Sequence, residues 1–198
     1  FYAPQYVALE LGFFEEEGLA IELTNGGGAD KVMTAVVSGQ SDIGLAGPES
    51  CVYIYNQGKE DYPVVFGQLT ACDGAFLMGR EDAPFDWEDL RGKTIYASGK
   101  GNTPEYALNY VLTQNGIDPA SDVTIEWKSE QAECLSALMA EENTIAMLPQ
   151  PFVTTAQTKS ENIRVALDLT EEWDEIQAES DAPSTLVTGV VVGRTEFV

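Results

Sequence analysis

Apolar residues along the chain switch repeatedly between a spacing of three to four residues and a spacing of two. The wider spacing is typical of helices with one buried face, and the alternation is typical of strands. It predicts helices at residues 4–17, 31–38, 49–56, 104–114, 131–140 and 151–158. Shorter alternating or continuous apolar runs predict strands at residues 20–24, 42–46, 63–70, 75–80, 94–97, 123–127, 144–148, 163–169 and 186–192. The acidic stretch 170–183 is expected to connect the last two strands.

Strand–helix alternation with short links predicts an α/β protein with mostly parallel sheets. The alternation occurs twice, in two runs of comparable size separated by the strand at residues 75–80. The first predicted helix has no strand before it, and the last strand has no helix after it. Because a βαβ unit needs both neighbours, we expect both ends to be incomplete. A compact domain with frayed ends is the open alternative.

The charge balance excludes several classes of protein. The 198 residues carry 10 Lys+Arg against 33 Asp+Glu, a net charge of −23. A nucleic-acid binder needs a basic face, and an anionic membrane surface would repel this chain. Histidine is absent from the sequence, which excludes Ser-His-Asp and Cys-His catalysis and the common zinc sites. No catalytic residue and no metal site is predicted.

Neither the cysteine spacing nor the start of the sequence shows a motif that indicates a function. Cys51, Cys72 and Cys134 form no C-x-x-C pair, so buried thiols are expected, and one disulfide stays open without an assignable pairing. The sequence shows no basic-then-apolar leader, and the apolar run 186–192 is far too short to span a bilayer. We therefore expect a soluble chain, from which an upstream leader could have been removed.

Four loops rich in glycine or proline lie where a predicted strand gives way to a helix: residues 25–30, 46–50, 98–105 and 148–152. In open α/β sheets, ligands bind at such places because helix N-termini present free N–H groups. These loops, with one residue of the strand 63–70, supply the predicted ligand-binding residues: Gly26, Gly27, Gly28, Asp30, Gly47, Pro48, Glu49, Gln68, Gly101, Asn102, Thr103 and Gln150.

Each of these loops could equally be a capped turn with no ligand. Neither G-x-G-x-x-G nor G-x-x-x-x-G-K-[ST] is present, so no nucleotide site is predicted. The acidic runs at residues 15–17, 141–142 and 171–172 are expected on solvated surfaces. The residues therefore predict a binding site for a small molecule without a cofactor.

Four segments of the chain resemble, in order, a known family. Residues 3–19 (APQYVALELGFFEEEGL) are similar to the opening helix of substrate-binding proteins of ABC importers. Residues 38–44 (SGQSDIG), 89–95 (DLRGKTI) and 145–152 (IAMLPQPF) resemble three later motifs of the same proteins. The group includes binders of taurine, alkanesulfonates, nitrate and thiamine-pyrimidine precursors. Each motif alone is weak, but the ordered set covers almost the whole chain.

The resemblance implies a type II periplasmic-binding fold, with two α/β lobes joined by two hinge strands and a ligand clamped between the lobes. It maps lobe 1 onto residues 1–78 and lobe 2 onto residues 79–187, with residues 188–198 returning to lobe 1. The hinge strands fall at residues 76–80 and 188–193. The incomplete ends also follow, because members normally begin with a strand and finish with helices of lobe 1. Gln150 stands where many members carry glutamate.

The function that the resemblance implies is an extracytoplasmic solute receptor that captures a small polar molecule by hinge closure. It would deliver the ligand to an ABC permease driven by an ATPase, as a monomeric lipoprotein held at the membrane by an anchor outside this sequence. Glu49 and Glu105 near the cleft, with only Lys31 and Lys100 as nearby cations, favour an aminopyrimidine-type ligand over sulfonate or nitrate.

Two alternatives stay open. Pyridoxal-phosphate-dependent pyrimidine synthases share the fold that the resemblance implies. These enzymes use an active-site histidine, and this sequence contains no histidine. A ligand-sensing ectodomain of a receptor would need a transmembrane segment outside these residues. We therefore expect a binding protein rather than an enzyme.

Overall fold

The structure is a computed structural model that describes residues 2–70, 75–81 and 83–198. Its chain forms two compact units. Unit 1 comprises Phe1–Ala71 and Val187–Val198, and unit 2 comprises Cys72–Leu186. Within the described ranges, no helix has both the length and the apolar character needed to cross a membrane.

Eight α-helices and eight strands are found in the described residues. The helices are α1 (Ala3–Glu10), α2 (Phe13–Glu16), α3 (Ala29–Val37), α4 (Glu49–Asn56), α5 (Thr103–Gln114), α6 (Gln131–Ala140), α7 (Phe152–Lys159) and α8 (Leu169–Ala178). The strands are β1 (Ile43–Ala46), β2 (Pro63–Thr70), β3 (Ala75–Gly79), β4 (Thr94–Ser98), β5 (Thr124–Lys128), β6 (Thr144–Pro149), β7 (Arg164–Asp168) and β8 (Gly189–Arg194). A short 3₁₀ helix spans Trp87–Leu90.

Unit 1 is built on a three-stranded sheet in the order β1-β8-β2, with β8 antiparallel to both neighbours. Met33 of α3 and Cys51 of α4 pack with Val190 and Val192 of β8 in a small buried cluster. Helix α3 buries Met33 and Val36 because these residues, three positions apart, lie on one helix face. The result is a layer of helices on a sheet whose middle strand comes last in the sequence.

Unit 2 has a five-stranded sheet in the order β5-β4-β6-β3-β7. Successive residues of one strand face opposite sides of a sheet, and here Leu77 and Met78 of β3 enter separate buried clusters. The Leu77 cluster includes Leu108 of α5 and Leu169 of α8. The Met78 cluster includes Leu138 of α6. Unit 2 is therefore a sheet covered by helices on both faces.

The α/β class and the two helix-flanked sheets predicted from the sequence are confirmed. The prediction of mostly parallel sheets is not met. Strand β4 is parallel to β5 and β6, whereas β3 is antiparallel to β6 and β7, and β8 is antiparallel to both of its neighbours. Strands β3 and β8 immediately follow the two chain crossings between units, so no βαβ crossover within their own sheet fixes their direction.

The division between the units differs from the lobes expected from the sequence. Residues 75–78, assigned to lobe 1, form most of β3, which is bonded on both sides within the sheet of unit 2. The return to unit 1 begins at Val187 rather than residue 188. A hinge role for residues 76–80 and 188–193 stays a prediction.

Three predicted elements also differ. The helix at residues 4–17 is divided into α1 and α2 by Gly12, whose positive φ of 74° is outside the helical range. Residues 20–24 form no strand, and Ile21 and Leu23 are exposed, since alternation alone supplies no pairing partner. The acidic stretch begins with helix α8, which Asp168 caps by accepting from the Thr170 N–H at 2.9 Å.

Cys51 and Cys134 are buried free thiols, while Cys72 lies outside the described residues. Burial raises the pKa of the Cys134 thiol from its ordinary value of 9.0 to about 11. The folded state therefore holds this proton more tightly than the unfolded chain. The associated stability is complete below pH 9 and is lost as the pH rises towards 11.

We expect Cys134 to be alkylated at pH 8 about 100-fold more slowly in the folded protein than in urea, because burial suppresses the reactive thiolate. Timed reaction with iodoacetamide, followed by mass spectrometry of the peptide containing Cys134, measures both rates. Equal rates in the two states would contradict the buried environment of this thiol.

Candidate functional site

In unit 2, two of the predicted loops lie at one edge of the sheet. Strands β4 and β6 are adjacent and parallel, so their carboxyl ends point the same way. The loop leading to α5 follows β4, and Gln150 follows β6. The predicted residues Gly101, Asn102, Thr103 and Gln150 are therefore brought to a common edge, as the rule for open α/β sheets requires.

The loop before α5 is hydrogen-bonded to an acidic side chain in the first turn of that helix. The Gly101 N–H donates to Oε2 of Glu105 at 2.6 Å, and the Tyr106 hydroxyl donates to the Gly101 carbonyl at 3.4 Å. Gly101 has a φ of 81°, which favours glycine. Asn102 occupies the N-cap position, although its side chain makes no capping hydrogen bond to the helix.

Gln150 is exposed, and its amide oxygen is already engaged within unit 2. Oε1 of Gln150 accepts from the Thr154 N–H at 3.3 Å and from the Thr154 hydroxyl at 2.9 Å. The side chain is therefore oriented by the first turn of α7. This leaves the amide nitrogen as the group that can donate to a ligand.

In unit 1, the glycine loop precedes α3. The Gly27 N–H donates to Oδ1 of Asn25 at 2.9 Å, and Gly28 is the N-cap residue of α3. Gly28 has a φ of 145°, and a Cβ atom placed on it would lie 2.8 Å from Oδ1 of Asp30. Gly26, in turn, has no room for a side chain because Val32 lies against it. The loop therefore needs its glycines for conformation and for close packing.

The second loop of unit 1 lies at the carboxyl end of β1. Pro48 is the N-cap residue of α4, and Glu49 follows in the first helical turn. A side chain on Gly47 would overlap the Glu49 carboxylate, so this carboxylate folds back over the end of β1. Gln68 lies on β2 opposite Val190 and is exposed, with its Nε2 donating to the Thr70 carbonyl at 3.2 Å.

The structure adds residues that the sequence analysis did not assign to the site. A Cβ atom on Gly189 would overlap the Thr70 hydroxyl and would lie 3.2 Å from Cε1 of Tyr2. The hydroxyls of Thr70 and Thr188 are 2.9 Å apart and hydrogen-bonded. Tyr2, Thr70 and Thr188 are far apart in the sequence, so no local motif could have linked them.

The negative charge of Glu49 contributes to a raised pKa of two neighbouring groups. Burial, and then the negative charge of Glu49, raise the pKa of the Tyr2 phenol. The same two causes, in the same order, raise the pKa of the Cys51 thiol. Tyr2 and Cys51 therefore stay protonated near neutral pH, and the phenol can act as a hydrogen-bond donor beside a carboxylate.

One arrangement recurs in three loops. A glycine precedes a helix, and the carboxylate of an acidic residue in the first helical turn lies against it: Asp30 against Gly28, Glu49 against Gly47, and Glu105 against Gly101. Helix N-termini attract negative charge. Here that position is taken by the protein's own carboxylates. In the described part of the chain, no three histidine, cysteine or acidic residues are grouped so that they could hold a metal ion.

Sequence comparison identifies the family. The family model described as "NMT1/THI5 like" matches residues 2–126. The chain belongs to the NMT1/THI5-like family. This NMT1/THI5-like chain is also 39% identical over 160 residues to YtlA of Bacillus subtilis (strain 168), which is named as a proposed binding protein. The match covers 80% of this chain and 48% of YtlA, so the chain spans about half the length of that relative.

Solved structures show the same fold. The periplasmic aliphatic sulphonate binding protein SsuA from Escherichia coli matches 96% of the NMT1/THI5-like chain with a TM-score of 0.74 and 16% identity. The match covers 60% of SsuA. The alkanesulfonate-binding protein SsuA from Xanthomonas axonopodis pv. citri, bound to MOPS, matches 98% of this chain and 62% of its own, with a TM-score of 0.65 and 18% identity. The family resemblance inferred from four short motifs is confirmed.

Proposed function

We propose that the protein is an extracytoplasmic solute receptor of an ABC importer. Family membership, the fold shared with sulfonate-binding proteins, and the name of YtlA support this proposal. Each unit also carries a glycine loop and a helix N-terminus at the carboxyl end of a strand, at Gly47 in unit 1 and at Gly101 in unit 2, where α/β proteins bind ligands. The resemblance extends the proposal to capture by closure of the two units on the ligand.

The observation that carries the ligand preference is the Glu105 carboxylate on the Gly101 N–H. Two further carboxylates, of Asp30 and Glu49, occupy equivalent places in unit 1. An anionic ligand would have to displace or face these charges, whereas an amino group could donate to them. We therefore propose an amino-bearing heterocycle of the aminopyrimidine type as ligand, in preference to a sulfonate or nitrate.

The proposal extends to the partners. A receptor of this kind would hand its ligand to a membrane permease driven by an ATPase, and would act as a monomer attached to the membrane by an anchor. It would need neither a cofactor nor a catalytic step. Incubation with pyridoxal phosphate is therefore expected to give no aldimine absorbance, and a stoichiometric aldimine band would favour the synthase alternative instead.

A ligand panel tests the receptor function. We expect 4-aminopyrimidines to raise the melting temperature, because a ligand at 100 times its Kd adds about 2.7 kcal/mol to the free energy of unfolding. Isethionate, taurine and nitrate at matched ionic strength are expected to give little change. Thermal shift identifies binders, and calorimetry measures their Kd.

The outcomes of this panel separate the two parts of the proposal. Binding of the anions alone would contradict the aminopyrimidine preference while leaving the receptor function in place. Failure of every compound to bind would count against the receptor function itself. Chloride at equal ionic strength provides the control for nonspecific salt effects.

A further inference from the structure

Two glycines meet at one edge of the unit 1 sheet. Ala46 of β1 is opposite Val190 of β8, so the next residues outward on the two antiparallel strands, Gly47 and Gly189, face each other. On its other side, Gly189 is opposite Thr70 of β2. Opposite Cα atoms on antiparallel strands are about 4.5–5.5 Å apart. The two central positions of this edge are therefore glycines, which contribute no side chains of their own.

Polar side chains from four separate segments cover these glycines. The Glu49 carboxylate lies over Gly47, and the Thr70 hydroxyl and the ring of Tyr2 lie over Gly189. Thr188 completes the group through its hydrogen bond to Thr70. We refer to Tyr2, Glu49, Thr70 and Thr188 as the unit 1 polar cluster. The apolar residues Ala46, Cys51 and Val190 lie in the buried cluster next to this edge.

The cluster combines an acceptor with a donor. An ionised carboxylate accepts only, and its roughly four lone-pair sites let it take a ligand N–H alongside an existing partner. The Tyr2 phenol donates when protonated, which its raised pKa favours near neutral pH. A ligand edge that complements this pair presents a donor next to an acceptor. An amino group beside a ring nitrogen has that pattern, which we call an amidine-type edge.

We propose that Tyr2 and Glu49 recognise the amidine-type edge of a planar heterocycle in unit 1. The amino group donates to Glu49, and the ring nitrogen accepts from the Tyr2 hydroxyl. The Thr70 hydroxyl, held by its hydrogen bond to Thr188, shares the space over Gly189 with the Tyr2 ring and thereby positions that ring. This inference rests on the proposed receptor function and adds the residues that select the ligand.

The probes are 4-aminopyrimidine and aniline, measured by calorimetry on the wild-type protein and Tyr2→Phe. Aniline keeps the amino group but lacks the ring nitrogens, so the wild type is expected to bind 4-aminopyrimidine about 10-fold more tightly than aniline. Tyr2→Phe retains the ring against Gly189 and removes only the hydroxyl. It is expected to abolish the preference for 4-aminopyrimidine over aniline while leaving aniline binding unchanged.

Tyr55→Phe provides the matched control, because Tyr55 is an exposed tyrosine of the same unit that packs edge-on against Tyr62. The inference would be overturned if Tyr2→Phe kept the wild-type preference for 4-aminopyrimidine over aniline. It would also be overturned if Tyr2→Phe lost affinity equally for both probes. Neither result would contradict the receptor function. Wild-type protein that binds only sulfonate or nitrate would also overturn the inference. Wild-type protein that binds no compound would overturn both the inference and the receptor function.

The positioning role has its own test. Thr70→Val removes the hydrogen bond to Thr188 at similar volume, and it is expected to reduce the 4-aminopyrimidine to aniline affinity ratio by about 5-fold. Thr70→Ser keeps the hydroxyl and should restore the ratio. Thr188→Val gives a second, independent variant if Thr70→Val folds poorly. A ratio that stays at the wild-type value in both valine variants would refute positioning through this bond.

Discussion

Replacing Glu49 by glutamine is expected to weaken 4-aminopyrimidine binding by about 10- to 150-fold. A hydrogen bond to an ionised group contributes about 1.5–3 kcal/mol, which converts to that range. The substitution keeps the size of the side chain and its place in the first turn of α4, but it removes the negative charge that lies over Gly47. Calorimetric Kd values for the two proteins give the result directly.

Glu60→Gln is the appropriate control, since Glu60 is an exposed acidic residue of unit 1 outside its helices and strands. Both variants change the net charge by the same amount, so a general electrostatic effect would appear in both. A second readout is independent of ligand: without the Glu49 charge, the pKa of the Cys51 thiol should fall towards its ordinary value. Undiminished ligand affinity in Glu49→Gln would rule out Glu49 as the acceptor.

Replacing Leu77 by alanine is expected to destabilise unit 2 by about 3–5 kcal/mol, because it empties space in a closely packed core. Leu77 is fully buried at the centre of β3, between Met147 of β6 and Leu167 of β7. A loss of this size should lower the melting temperature by about 10 °C or more. Chemical denaturation followed by tryptophan fluorescence measures it, since Trp87, Trp127 and Trp173 pack against the cluster that contains Leu77.

Val165→Ala on the neighbouring strand β7 provides the comparison, because Val165 is 39% exposed and loses little buried contact. Its cost is expected to be about 1 kcal/mol or less. A Leu77→Ala variant as stable as Val165→Ala would contradict the assignment of β3 to the core of unit 2. It would then favour the lobe boundary at residue 78 that the sequence suggested.

Periodicity predicted the elements whose stability is local. Helix α6 is predicted with the same bounds as the structure gives it, because Leu135 and Leu138 mark one apolar face. The structure adds a capping box formed by Glu130 and Glu133 at the start of this helix. Helix α8 was missed because its acidic residues hide the regular spacing of Leu169, Trp173 and Ile176, which pack in the core of unit 2.

The candidate site likewise contains residues that the sequence predicts and residues that only the structure brings together. The loops around Gly47 and Gly101 could be predicted because each combines a strand end, a glycine and a helix start within a few residues, whereas the loop around Gly28 precedes a helix but follows no strand. The carboxylates that fold back onto these loops were recognised only in the structure, since their positions depend on side-chain conformation. Tyr2, Thr70 and Thr188 meet through the pairing of β8 with its neighbours.

The sequence by itself determined the α/β class, the family and the loops that can approach a ligand, because these depend on periodicity and on motifs of a few consecutive residues. Only the tertiary structure decided which sheet receives β3 and β8, and which polar side chains share the edge at Gly47 and Gly189. Strand partners and clustered side chains are contacts between distant residues. Their choice follows from the packing of the whole unit, which no short segment encodes.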